Sequence, residues 1–306
     1  MAVMSVAAGH ISSFAQTVST STNSETVITA GRIPQDPFLL PQGVTVITAQ
    51  DIQTSGVTNA NETIRLLGGV IGRIDTSGGR NQTLDLRGFG ETAANNVVIL
   101  IDGVRQNEGD SGSANLAWIP LTSIERIEIV RGSGAVLHGD GATAGVINVI
   151  TQKGLVEPGG SVGVLAGSLG TREAKFSLHT GEGAWRFQVH GGRHETDNHR
   201  DNYARQENNG LARATWSQGT AQWSFQLGAQ EYKGRLPGGL TVEDFYTNPR
   251  KTYYADDHGS GRSSNALISG EFSILDWRVG VDLNQRWNNM ESVHVQIGRA
   301  SCRERV

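Results

Sequence analysis

The chain has 306 residues with 40 glycines, 18% charged residues, one cysteine and a formal net charge of −4. That balance argues against a nucleic-acid partner, and the lone thiol, Cys302, excludes an intrachain disulfide. No apolar run reaches the roughly 18 residues of a membrane-spanning helix, while the length leaves room for two domains.

Residues 1–15 (MAVMSVAAGHISSFA) are small and mildly apolar, and Ser13-Phe14-Ala15 satisfies a small-x-small cleavage rule before Gln16. They read as the trailing part of a secretory signal, with a mature N-terminal segment as the alternative. Residues 16–24 are polar and of low complexity, which suits a tether. Glu25 to Ala30 (ETVITA) is a short β-prone stretch isolated by Gly31, Pro34 and Pro37. Val44 to Ile47 is predicted as a strand. Thr48 with Asp51 has the spacing of a capping box, and Asn59 with Glu62 repeats it before Ile64, Leu66 and Leu67, with Gly68-Gly69 as the stop. Val97 to Ile101 is wholly apolar, which suits a strand buried on both faces. Ile124 to Thr151 holds two further strands around a Gly-rich turn. Its spacing fails as a phosphate cradle, because Leu137 stands where a dinucleotide fingerprint needs glycine and Asp140 where a P-loop needs lysine.

Four blocks in order, Leu84 to Gly88 (LDLRG), Val98 to Gly103 (VILIDG), Ile119 to Ile127 (IPLTSIERI) and Ile124 to Thr151, resemble the plug domain of the TonB-dependent outer-membrane receptors. The resemblance covers roughly residues 25–153 and departs from the commonest family pattern at Ser133, where proline is usual, and at His138, where tyrosine is usual. It implies an α+β plug domain followed by an incomplete antiparallel transmembrane β-barrel. It also implies that residues 16–43 form a periplasmic tether carrying the TonB box, Glu25, Thr26, Val27, Ile28, Thr29 and Ala30. The plug is expected over 44–153 and the N-terminal part of the barrel over 154–296.

From residue 160 the pattern turns to period two. Ala174, Phe176 and Leu178 alternate with Lys175, Ser177 and His179, and Trp185, Phe187 and Val189 with Arg186, Gln188 and His190; Trp223 to Leu227 and Trp277 to Leu283 repeat the pattern. Trp185, Trp216, Trp223 and Trp277 each adjoin a short connection, whereas the long polar connections, about 196–208 and 233–262, fall at the opposite strand ends. Aromatic girdles, short turns on one side and long loops on the other describe an outer-membrane barrel. About seven such strands fit between 160 and 290, against about 22 in plugged transporters. The last ten residues, 297–306 (IGRASCRERV), break the alternation and read as a non-native tail, so Cys302 carries no functional weight.

Within the resemblance, the expected function is import of a ferric siderophore or similar iron complex at the bacterial cell outer membrane, gated by the plug and energised through the TonB box. A haem or cobalamin receptor of the same family is the alternative. A receptor that also transduces signals is a further alternative; it needs a folded domain before residue 25, where 24 residues are present, and is disfavoured unless more sequence lies upstream. Binding followed by energy-driven gating calls for no catalytic residue, cofactor or metal. The expected partners are the TonB energising protein of the inner membrane, outer-membrane lipid and an iron-chelate ligand. Arg87, Glu125, Arg126, Glu128 and Arg131 are candidates for ionic contacts locking plug to barrel wall. The polar, Gly-rich stretches 77–82 and 105–115 are candidates for substrate contact, with Arg80, Asn81, Arg105, Gln106 and Asn107 as the residues. His179 and His190 face the lumen by parity.

Overall fold

The computed structural model describes Thr29, Asp36 and residues 40–74, 80–107, 114–153, 158–275, 277–294 and 302–305. The signal-like N-terminus, TonB-box residues 25–28 and 30, and most of the tail fall outside these residues.

The first domain is built on a five-stranded mixed sheet in the order β1-β6-β7-β4-β5. Its strands are β1 (Gly43–Thr48), β4 (Val97–Ile101), β5 (Val104–Arg105), β6 (Ile124–Arg131) and β7 (Gly145–Thr151). A small ribbon of β2 (Ile71–Ile74) and β3 (Gln82–Asp85) lies beside it. β4 and β7 pair in parallel at the centre, and every residue of both is buried. Alternate side chains of β4 serve two cores. Val97, Ile99 and Ile101 join the larger one with Ile52 and Ile64 of the helices, while Val98 and Leu100 pack with Ala142 and Val146 on the other face. A parallel pair covered on both sides explains the unbroken apolar run of β4.

Both short helices start as the spacing predicts. α1 (Ala49–Ser55) has Thr48 as N-cap in a reciprocal capping box with Asp51. In α2 (Ala60–Leu66) the Asn59 side chain caps Glu62 N–H at 2.9 Å, but the Glu62 carboxylate reaches one residue further back, to Thr58 N–H at 2.8 Å. A third helical turn, α3 (Ala135–His138), forms inside the Gly-rich segment.

The second domain is an antiparallel meander: β8 (Gly159–Ala166), β9 (Arg172–Glu182), β10 (Trp185–Thr196), β11 (Arg205–Gln218), β12 (Ala221–Arg235), β13 (His258–Ile274) and β14 (Trp277–His294). Sequence neighbours pair throughout. β8 begins at the start of the stretch expected as barrel, and β15 (Cys302–Arg305), within the stretch read as tail, pairs with Glu291 to His294. Among the described residues the sheet is open, with β8 and β15 at its edges. A helical turn, α4 (Val242–Thr247), stands on the long β12–β13 connection.

Burial on this sheet is the reverse of that in a soluble protein. Leu178 (57%), Leu227 (65%) and Leu283 (62%) are exposed, whereas Gln188, His190, Arg213, Gln226 and Asn265 on the other face are each at most 5% exposed. Water does not reward that arrangement; lipid outside and a polar domain inside do. Trp185 stands in register with Trp216, and Trp216 with Trp223, so three tryptophans form one row at the short-turn ends of β10, β11 and β12. Such a row marks one membrane interface. The long connections lie at the opposite rim.

Candidate functional site at the seam between plug and wall

The seam is built from polar groups that each domain needs the other to satisfy. β4 turns into β5 through Asp102 and Gly103, both at positive φ (51° and 86°), with Ile101 paired to Val104. An Asp-Gly pair is the residue choice that a two-residue hairpin of this hand requires. The turn directs the Asp102 carboxylate at β7 and at the wall: it accepts from Thr151 N–H at 2.9 Å and from Thr151 Oγ1 at 2.6 Å. Arg213 of β11 donates Nη2 to Asp102 Oδ2 at 2.8 Å and Nη1 to the Gln152 carbonyl at 2.5 Å, and also reaches Gln226 on β12. The side chains of Arg213 and Asp102 are 1% and 0% exposed. Lys153 lies 3.7 Å from the other carboxylate oxygen.

A second bridge lies toward the long-loop rim, where Arg80 faces Glu207 of β11 at 3.9 Å, with both side chains buried. Between the bridges, Asn115 donates to Gln230 Oε1 (3.0 Å) and Ser263 Oγ (3.1 Å), and Asn209 donates to the Ala117 carbonyl at 2.8 Å. His190 Nδ1 lies 3.2 Å from Thr122 Oγ1. Arg286 of β14 donates to the Gln106 carbonyl at 2.6 Å. One apolar contact is shape-dependent: the Trp118 ring fills a notch in the wall at Gly228, where a Cβ would meet ring carbons at 2.3 Å.

The latch expected of Arg87, Glu125, Arg126, Glu128 and Arg131 needs correcting in its placement. Arg126 pairs with Glu125 and Glu128, and Arg131 bonds Thr45 Oγ1 and the Gly68 carbonyl, all inside the first domain; Arg87 is exposed. The physical reason is position: β6 lies between β1 and β7, so its side chains point to the faces of its own sheet. Among the described residues, the close ion pairs that cross the seam come from a hairpin turn and from the residue entering β3, while Glu125 acts on Arg213 of the wall only at longer range.

The candidates for substrate contact also have structural engagements. Arg80, besides Glu207, reaches Thr58 Oγ1. Asn107 accepts Ile99 N–H at 2.8 Å and donates to the Val97 carbonyl at 2.8 Å, completing the edge of β4. The Gln106 side chain bonds the Val104 carbonyl, and Arg105 pairs with Asp140 at 3.2 Å. Asn81 is buried, with its amide oxygen without a hydrogen-bond partner among the described residues. Residues 77–79 and 108–113 lie outside the described residues. His179 and His190 face the seam as parity predicts. Among the described residues no group of three metal-ligating side chains occurs.

Two further clusters surround the seam. The Asp85 carboxylate accepts four backbone N–H groups, from Arg87 (3.0 Å), Gly88 (2.8 Å), Phe89 (3.0 Å) and Gly90 (2.8 Å). Burial alone would raise this carboxyl; the four donors outweigh it and hold it below the ordinary carboxylate value. This explains the LDLRGFG sequence, in which the aspartate closes a loop whose amides converge on it. At the long-loop rim, Arg200 donates to the carbonyls of Gly238 and Lys251, and Asn202 to that of Leu236, so one loop clamps the next.

A mixed α/β domain held by buried polar bridges to the polar face of an outward-apolar antiparallel sheet defines the class of plugged outer-membrane barrels. Comparison with known proteins narrows this. The profile of the TonB-dependent Receptor Plug Domain matches residues 36–146. The vitamin B12 transporter BtuB of Vibrio vulnificus is 36% identical over 158 residues, 51% of this chain and 25% of that protein. The ferric citrate transporter FecA in its unliganded form superposes with a TM-score of 0.73 at 19% identity, covering 85% of this chain and 42% of that one. The ferric yersiniabactin uptake receptor FyuA from Yersinia pestis gives 0.70 at 18% identity, covering 83% and 42%. Residues 36–146 are a plug domain of the TonB-dependent receptors, the strands after it fold as part of such a receptor's barrel, and the place of such a fragment is the bacterial outer membrane. The chain spans less than half the length of these relatives.

Proposed function

We propose that the whole protein imports a scarce ferric siderophore or similar iron complex, with the plug as gate and the TonB energising protein pulling on residues 25–30. The observation that carries this reading is the buried Asp102–Arg213 pair and its companions along the seam. A plug held mainly by discrete polar bridges can be displaced and reseated, because each bridge has a defined broken state; a continuous apolar interface has none. Breaking one such bridge costs several kcal/mol, about 3–5 when a buried partner is stranded. That resistance to spontaneous opening suits a gate opened by external work. No step of the cycle needs covalent chemistry. Asn81 and Arg105, at the edges of the candidate segments, are proposed as ligand contacts on the plug.

Cobalamin is the second reading, supported by BtuB relatives at 36% and 37% identity from two Vibrio species. The assay that separates the two is uptake by cells expressing the full-length protein, given radiolabelled ferric siderophore or radiolabelled cyanocobalamin, with and without an intact TonB system. Accumulation of neither in a TonB-dependent manner removes both readings. In the same assay Val27→Pro should abolish energised uptake while leaving surface binding intact, because proline removes a donor from the strand offered to the partner. Undiminished uptake in that variant would retire the TonB-box assignment.

A further inference from the structure

The outward face of the second sheet changes character toward the long-loop rim. Trp223, in the tryptophan row, marks one interface, and the outward side chains that follow it on β12 are Phe225, Leu227, Ala229, Glu231, Lys233 and Arg235. From Trp223 to Lys233 the strand runs about 34 Å, which at a tilt of about 45° is about 24 Å of depth, the height of a barrel's apolar band of roughly 25 Å. Lys233 therefore stands at the opposite interface, at the level of the outer head groups. In register with it across the wall lie Gln206 of β11, Glu195 of β10 and Arg172 of β9, while Arg235 is paired with His258 of β13. These side chains line a hollow of about 700 Å³ on the outside of the wall.

The charge of the hollow suits an anion. Arg172, Arg205, Lys233 and Arg235 line it against two carboxylates, Glu195 and Asp197, and Glu195 is already bonded by Arg193. Among the described residues no ion pair engages Arg172, Lys233 or Arg235, and all three are exposed. Nearer the tryptophan row, Gly191, Gly210, Ala229 and Ser264 form one row of small residues in register across β10 to β13. Phe176 walls it at one end, with its ring 2.5 Å from where a Cβ on Gly191 would stand, and Trp287 walls it at the other. The result is an apolar trough of about 760 Å³. We propose that this part of the wall is a site for a phosphate-bearing lipid of the outer leaflet, its head group held by Arg172, Lys233 and Arg235 and an acyl chain lying between Phe176 and Trp287. Depth and charge together choose this occupant. A free anion would leave the trough empty, and a lipid without phosphate would leave three cations unanswered at the head-group level. Basic side chains near an anionic lipid surface each add to binding, and their long stems reach from an apolar wall to the head group.

The test uses the full-length protein, delipidated in a zwitterionic detergent, with bound lipid counted by native mass spectrometry. The probes are a bis-phosphorylated lipid A, the same lipid with its phosphates removed, and inorganic phosphate. The expected result is one bis-phosphorylated lipid per protein. Replacing Arg172, Lys233 and Arg235 together by glutamine should weaken its binding about a hundredfold, about fivefold per cation. Ala229→Trp should weaken it about tenfold by keeping the acyl chain out of the trough, with the head-group contacts intact. Arg250→Gln, at an exposed rim arginine outside the hollow, should bind as wild type. Heat-modifiable migration on gels checks that the barrel is folded; if the triple variant fails that check, Lys233→Gln alone is read for its fivefold loss. Equal binding of the dephosphorylated lipid, or unchanged binding by the folded glutamine variant, overturns the head-group site. Inorganic phosphate that binds as tightly as the lipid, together with no effect of Ala229→Trp, makes this a free-phosphate site and overturns the lipid assignment.

Discussion

Arg213 Nη2 lies 2.8 Å from Asp102 Oδ2, joining the lumenal face of the barrel wall to the tip of a plug hairpin in a pair screened from solvent on both sides. The same turn is tied to β7, because Gly103 N–H donates to Asn148 Oδ1 at 3.3 Å. Asp102→Asn keeps the positive-φ turn, which asparagine tolerates, but removes the charge. We expect it to cost about 3–5 kcal/mol by stranding Arg213, with Asp102→Asn/Arg213→Met recovering part of the loss. Chaotrope titration of the full-length protein, followed by plug protection from protease, measures both; equal loss in single and double variants would sink the pairing.

Gly228 is a shape constraint on the wall. A Cβ there would sit 2.3 Å from the Trp118 ring, which is itself buried at 3% exposure. Gly228→Ala should unseat Trp118 and costs about 1–3 kcal/mol as overpacking. Planar-bilayer recordings should show more frequent open events than the wild type, while Gly239→Ala, with open space around it, should behave as wild type.

Asp85 supplies a prediction with a pH sign. Its folded carboxyl lies below the ordinary value because four N–H donors outweigh the cost of burial. A depressed folded pKa contributes stability that is fully present above the unfolded value of about 3.9 and is lost as pH falls through the folded value. Asp85→Ala should therefore destabilise by about 3 kcal/mol at neutral pH through loss of charged hydrogen bonds. The gap from wild type should hold from neutral pH down to about 4 and narrow below it. Unfolding midpoints followed by tryptophan fluorescence check this; a gap that widens in acid contradicts it.

Leu227 tests which face meets lipid. It lies midway along β12 on the outward face and is 65% exposed. Leu227→Arg should cost about 2–4 kcal/mol of membrane stability, the penalty for arginine near the bilayer midplane. Asn284→Arg, on the lumenal face by its pairing with buried Leu267, should cost far less. Refolding yields into lipid vesicles rank the two, and the reverse order would invert the sheet.

Much of this was legible in the residues. Thr48 with Asp51 and Asn59 with Glu62 announced two helix starts, since a side-chain acceptor three residues from a free amide is local chemistry. The alternation through Phe187, Gln188, Val189 and His190 announced two faces, and the tryptophan row announced which strand ends share an interface. The charged row of β6 misled because parity within a strand tells that side chains alternate, not what lies on either side. Asp102 and Gly103 follow the apolar run of β4 directly, and Asp-Gly after an apolar strand is a hairpin signal.

The sequence by itself determined the local elements, the period-two sheet with its apolar outer face, and the plug motifs, because each depends on residues close together in the chain. Only the tertiary structure decided which charges bridge the seam: Asp102 and Arg213, like Arg80 and Glu207, are more than a hundred residues apart. An ion pair of that separation leaves no spacing to read, since its partners are brought together by how one domain seats against another.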